Sequence, residues 1–254
     1  MDIDLKGRPV FVTGAAKGIG RAIAKVLADC GAPVAVADLD EAGARETAAA
    51  VTAAGGKARA YKLDVTDEKA VGAALDAAEK ELGPLYALVN SAAILIPPRP
   101  FHTIDLKDWE AIFSVDVKGL FLCCKAIAPR MIERRRGVIV NIGSVAGKIQ
   151  RLNMAAYCAA KAAVIHFSKV AAFELAPHGV RVIAQCPGTT ATDMVMKTIT
   201  GGDPEALAKW LAGIPMGRLA EPEDQARLTA FLISDLASHI TGQAINVDGG
   251  QVMW

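Results

Sequence analysis

The sequence predicts an α/β fold of the Rossmann type, a doubly wound parallel sheet of about seven strands flanked by helices. Three observations carry that expectation. Short β-branched runs alternate with longer Ala-rich stretches of helical period, the order produced by repeated strand–helix–strand crossovers. Most of the short runs are apolar throughout, as strands covered on both faces must be. Hydrophobic residues make up 52% of the chain and aromatics only 5%, which suits a sheet held between closely packed helices.

In order, Pro9–Thr13, Pro33–Asp38, Ala58–Val65, Tyr86–Asn90, Val138–Gly143, Val180–Cys186 and Ala244–Val247 read as strands. Helical patterns begin near Gly18, Glu41, Asp67, Asp105, Met154 and Glu221. One irregular insertion, from about Thr189 to Gly217, follows the sixth strand, and Gly201-Gly202-Asp203-Pro204 interrupts any continuous helix there. It leaves the carboxyl edge of the sheet, where such folds bind ligands, and is expected to form a substrate lid. With no linker, repeat or low-complexity tract, residues 1–254 read as one domain.

A net charge of +1 without a long basic block argues against a nucleic-acid partner. Arg134-Arg135-Arg136 reads as a solvated helix end favoured by the helix dipole. The acidic start, Met1-Asp2-Ile3-Asp4, is unlike a signal peptide, and no apolar run is long enough to span a bilayer. Five cysteines (Cys30, Cys123, Cys124, Cys158, Cys186) lack C-x-x-C pairs and His neighbours at ligand spacing. Reduced thiols in a cytoplasmic protein with no metal site are expected.

The first strand runs into Thr13-Gly14-Ala15-Ala16-Lys17-Gly18-Ile19-Gly20, which opens a helix. Gly14 permits a tight turn, and Gly18 and Gly20 let a pyrophosphate approach the unpaired N–H groups of the helix start. The second strand ends in Asp38, whose carboxylate can accept from adenosine ribose hydroxyls and repels a 2′-phosphate. Lys17 could instead neutralise such a phosphate, but Leu39 stands where a basic clamp would be needed. NAD is therefore favoured over NADP.

Ser144 closes a strand, and Tyr157 and Lys161 stand four residues apart on one face of the next helix. Oxidising an alcohol requires removal of the hydroxyl proton, for which a free tyrosine is a poor base at neutral pH. A neighbouring ammonium favours the phenolate, and a serine hydroxyl can orient the substrate oxygen.

Together these motifs resemble the short-chain dehydrogenase/reductase family over essentially the whole chain. The matching stretches are Thr13 to Gly20, Asp64-Val65, Asn90-Ser91-Ala92-Ala93, the Ser144/Tyr157/Lys161 set, Pro187-Gly188 with Thr192, and Val247-Asp248-Gly249-Gly250. The resemblance implies that Asp64 meets the adenine amino group beside Val65, and that Asn90 and Ala92 line the adenosine side. Ile19, Leu39 and Thr190 join the cofactor contacts. Lys161 would hold the nicotinamide ribose, Thr192 the carboxamide, and Pro187 and Gly188 would shape the nicotinamide pocket. The family's Asn-Asn-Ala-Gly becomes Asn90-Ser91-Ala92-Ala93, a small change. In Val115-Asp116-Val117-Lys118-Gly119, Asp116 replaces the family's usual Asn, which holds a water linking the catalytic lysine to solvent. Asp116 is expected to keep that relay and to alter its pH dependence.

Substrate contacts are expected from residues 94–102, 145–154 and 189–217, among them Ser144, Ile94, Gln150, Arg151, Met154 and Met194. Such a mixture suits a sugar, a polyol or a ring-borne diol. Arg151 could meet a carboxylate but reads more simply as solvated or paired. Two alternatives stand beside an NAD-dependent alcohol dehydrogenase: an NADPH-dependent 3-oxoacyl-carrier-protein reductase, and a dinucleotide-binding regulator without turnover. The small-residue helix after Met154 is expected to pair across a two-fold axis in a homotetramer or homodimer, with Trp254 docked on a neighbour.

Overall fold

The computed structural model describes residues 3–199, 201 and 203–253. Trp254 lies outside the described residues, as does Gly202 of the lid. Among the described residues there are seven strands: β1 (Val10–Thr13), β2 (Val34–Asp38), β3 (Ala58–Lys62), β4 (Ala87–Asn90), β5 (Gly137–Ile142), β6 (Val180–Pro187) and β7 (Ala244–Val247). They form one sheet in the order β3-β2-β1-β4-β5-β6-β7, with every neighbouring pair parallel.

Alternation along each strand sends its side chains to two separate cores. Val10, Val12, Val34 and Val36 pack against α1 (Gly18–Asp29), α2 (Glu41–Ala53) and α8 (Pro222–Ile233). Phe11, Ala35, Ala37 and Leu88 face α3 (Glu68–Leu82), α5 (Leu120–Arg134) and α6 (Ala155–Leu175). Both faces of the sheet are thus covered, which is why its strands carry so few polar side chains. Helix starts are set by local chemistry. The Asp40 side chain accepts from the Gly43 N–H at the head of α2, and Asp67 accepts from Lys69 and Ala70 at the head of α3.

Strand order reverses between β1 and β4, opening a crevice at their carboxyl ends. Three local departures from the expected elements shape it. The third strand stops at Lys62, and Leu63, Asp64 and Val65 leave the sheet to form a wall of the crevice. The helix after Asp105 is one run in three parts: α4 (Leu106–Ile112), a wider π-helical stretch from Phe113 to Gly119, and α5. The widened turn buries Asp116. The lid has a π-helical stretch at Met194–Ile199 and a helix, α7 (Pro204–Ala212), capped by Asp203.

Candidate active site

The β1–α1 loop is a cradle of backbone. Gly14 adopts φ 65°, and a Cβ there would lie 2.6 Å from Ala92 Cα. A Cβ on Gly20 would lie 2.1 Å from the Gly14 carbonyl oxygen, so only glycine lets the helix close on the turn. The Thr13 hydroxyl accepts from the N–H groups of Ser91 and Ala92, tying this loop to the end of β4. Asp38 is held before any ligand arrives: its carboxylate accepts from the Ala16 N–H and the Asp40 N–H, each at 2.9 Å. Asp64 accepts from the backbone and hydroxyl of Thr66, bonds that hold its carboxyl below the usual carboxylate range. A cleft of about 920 Å³ runs from Asp38 and Asp64, past Gly18 and Thr192, to Tyr157 and Lys161.

At the inner end of that cleft the catalytic candidates converge. The loop after β5 lies directly on α6, and a Cβ on Gly147 would lie 2.6 Å from the backbone carbon of Lys161. This contact places Ser144 beside the helix face that carries Tyr157 and Lys161. Ser144 stands close enough to the Tyr157 hydroxyl to pull its pKa down, and its own oxygen accepts from the Ala146 N–H at 3.1 Å. The Lys161 ammonium lies 5.5 Å from the Tyr157 ring centre and donates to the Ile142 carbonyl at 3.2 Å. Its third neighbour is Asp116, whose Oδ2 stands 3.0 Å from Nζ with both side chains sealed from solvent. Asp116 Oδ1 accepts from the Ile94 N–H at 2.9 Å.

Beside Ser144 and Tyr157 a small pocket of about 70 Å³ opens, lined by Arg151 and Met154 and by Met194 and Trp210 of the lid. Several expected residues fall elsewhere. Gln150 is exposed and lines neither the pocket nor the cleft. Ile94 lines the cofactor cleft instead of the pocket, its backbone occupied by Asp116. Asn90 turns into the core, where its amide donates to Asn141 at 2.8 Å, so Ala92 without Asn90 forms that part of the wall. Gly14, Lys17, Gly18, Ile19, Gly20, Asp38, Leu39, Asp64, Val65, Pro187, Gly188, Thr190 and Thr192 do line the cleft. Trp210 was not anticipated, because an aromatic on a lid helix carries no signal of the direction it faces. Arg151 is half-buried, with its guanidinium carbon 5.0 Å from the Trp210 ring centre, and forms no ion pair among the described residues.

A family model described as enoyl-(acyl carrier protein) reductase matches residues 14–251. The chain is 42% identical, over 97% of both chains, to 2-(S)-hydroxypropyl-CoM dehydrogenase 3 of Xanthobacter autotrophicus. It is 41% identical, over 96% of both, to cis-4-hydroxycyclohexanecarboxylate dehydrogenase of Sinomonas cyclohexanicum. Among solved structures, the 3-ketoacyl-(acyl-carrier-protein) reductase of Brucella melitensis complexed with NADH superposes with a TM-score of 0.91. That pair is 36% identical over 98% of this chain and 100% of the other. This chain belongs to the short-chain dehydrogenase/reductase family. It is an oxidoreductase acting on CH–OH groups, with a nicotinamide dinucleotide as cofactor.

For a short-chain dehydrogenase the electrostatics of the site are unusual in one respect. Burial raises the Tyr157 hydroxyl above its ordinary pKa; Lys161 and Ser144 pull it down, and the Asp116 carboxylate pushes it up again. Burial alone would depress Lys161, but Asp116 and Tyr157 together hold it above its ordinary value. Burial likewise raises Asp116 against the pull of Lys161 and the Ile94 N–H. Lys161 thus pulls Tyr157 in the expected direction, but burial outweighs it and the hydroxyl stands above its ordinary value. Asp116 meets the ammonium directly, at 3.0 Å, with no room for a water between carboxylate and ammonium.

Proposed function

We propose that this enzyme interconverts a small, polar secondary alcohol and its ketone with NAD(H) in preference to NADP(H). The observation that carries the reading is the convergence of Ser144, Tyr157 and Lys161 where the dinucleotide cleft meets a separate small pocket. The cleft residues fit a nicotinamide dinucleotide: a cradle that no side chain could enter at Gly14 or Gly20, and an oriented acid at Asp38. Bound there, the cofactor supplies the hydride acceptor or donor. Asp38 and Asp40 put negative charge where a 2′-phosphate would stand. Arg21, a potential counter-charge, donates to the Ala16 carbonyl and pairs with Glu46, which supports NAD.

Tyr157 takes the alcohol proton during oxidation and returns it during reduction. Ser144 orients the substrate oxygen and stabilises charge developing on it. Lys161 offsets the cost of a buried phenolate, and Asp116 fixes the ammonium in place. Lys161 would also hold the nicotinamide ribose, with Asp64 at the adenine and Thr192 at the carboxamide. Phe173 and Val170 of α6 and Phe121 of α5 are exposed, which supports assembly with further copies of the chain. Among the described residues no helix is long and apolar enough to cross a membrane.

The test is nicotinamide absorbance with NAD or NADP and a panel of polyols, aldoses, cyclic alcohols, dihydrodiols and an acetoacetyl thioester. Turnover with NAD that falls by about 10²–10⁴-fold in Tyr157→Phe is the expected result. Bound NAD with no turnover across the panel would move weight to the regulator. Turnover of the thioester alone, with NADPH, would move it to the acyl reductase.

A further inference from the structure

The pocket beyond the reacting groups is apolar apart from Ser144, Tyr157, Thr189 and one charge, Arg151. Arginine stays ionised at any working pH, and burial here lowers its pKa more than the nearby Cys158 and Asp248 raise it. Among the described residues no carboxylate comes within ion-pair distance of it and no protein acceptor takes its N–H donors. Asp248 is the acid whose field reaches it, but that carboxylate already accepts from the Gly250 and Val252 N–H groups at 3.0 and 2.8 Å. The guanidinium carbon lies over the Trp210 ring, 5.0 Å from its centre. A cation–π contact of this kind leaves the fork of N–H donors for another ligand.

A half-buried cation whose edge no group of the chain satisfies loses hydration for no structural return. Arg151 lines the same small pocket as Ser144 and Tyr157, so a substrate whose carbinol sits between those two can bring another of its groups to the guanidinium. We infer that the substrate carries an anionic group, a carboxylate or a sulfonate, and that Arg151 receives it on its free edge while Trp210 of the lid covers the guanidinium face. The inference rests on the proposed reading of this pocket as the alcohol site. It makes Arg151 a specificity residue and couples the lid to the charge of the substrate through one stacked pair.

The experiment compares straight-chain and cyclic carboxylates of four to seven carbons, sulfonates of the same lengths, and the matching carboxamides, none bearing a hydroxyl. Each is titrated calorimetrically into the enzyme with and without NADH. The carboxylates or sulfonates should bind at least about tenfold more tightly than the carboxamides, and Arg151→Met should abolish the difference while NADH binding is kept. Arg151→Lys, which retains charge and stem, should recover part of the preference. Whichever anion series shows the larger gap names the group. Equal binding of anions and amides in the wild type, no binding by either, or an unchanged gap in Arg151→Met would overturn the inference. Turnover of neutral alcohols without any anion preference would leave the oxidoreductase reading standing and remove this one. An anion preference in a protein that turns over no alcohol would do the reverse.

Discussion

The Asp116 carboxylate and the Lys161 ammonium meet at 3.0 Å inside the protein, neither reached by solvent. A widened helical turn delivers the acid and α6 delivers the base, so the pair joins two elements that wall the cleft. Its charge reaches Tyr157, which feels the ammonium and the carboxylate with opposite sign.

Removing that negative charge without changing shape should therefore favour the phenolate. Asp116→Asn is expected to move the pH profile of alcohol oxidation to lower pH, because the carboxylate raises the Tyr157 pKa and the amide cannot. The Kd for NADH should stay the same. Steady-state rates from pH 6 to 10 check this, and an unmoved profile would remove Asp116 from the acid–base network.

Truncating the same residue has a different consequence. In Asp116→Ala, Lys161 remains buried without its counter-ion and the Ile94 N–H loses its acceptor. The variant is expected to lose about 3–5 kcal/mol of stability, read by urea unfolding. A loss near zero would mean that water or a neighbouring segment replaces the carboxylate.

Cofactor choice should follow Asp38. Asp38→Asn keeps an acceptor for the Ala16 N–H and removes the charge. The ratio of kcat/KM for NAD over NADP is expected to fall by at least about tenfold, roughly 1.4 kcal/mol. If it holds steady, discrimination lies elsewhere, with Lys17 the next residue to change.

Gly20→Ala places a methyl group against the Gly14 carbonyl, which cannot move without opening the turn. A stability loss of about 1–3 kcal/mol is expected, together with a larger loss of NADH affinity, because the turn is the floor of the cradle. Fluorescence titration with NADH measures the second effect directly.

Much of this was legible in the residues. Apolar runs gave all seven strands, and acidic or glycine starts placed α1, α2, α3 and α8 within a residue of where they begin. The loop, Asp38 and the Ser144, Tyr157 and Lys161 set were readable because each has a fixed distance from an element boundary. What escaped depends on rotation or on cancelling terms. Nothing in Phe113–Gly119 announces a π-helical turn, since its residue types also suit an α-helix. Asn90 lies at the strand end whether it faces ligand or core, and only the packing of Asn141 beside it decides. The sign of the Tyr157 shift is a balance of burial against two opposed charges, which spacing along a chain does not reveal. Trp210 sits 59 residues from Arg151 and meets it only through the lid.

A buried amide chain lies under the site: Asn90 donates to Asn141, and Asn141 donates to the Ser168 hydroxyl at 2.9 Å. It bolts β4, β5 and α6 into one slab, so the groups that move protons share a foundation, whereas Met194 and Trp210 stand on a separate lid. Chemistry and taste are thus inherited on different pieces of the chain. Exchanging the lid for one of another shape should re-aim the enzyme at new alcohols while its proton machinery stays in place, a division of labour that gives evolution and protein engineers the same handle.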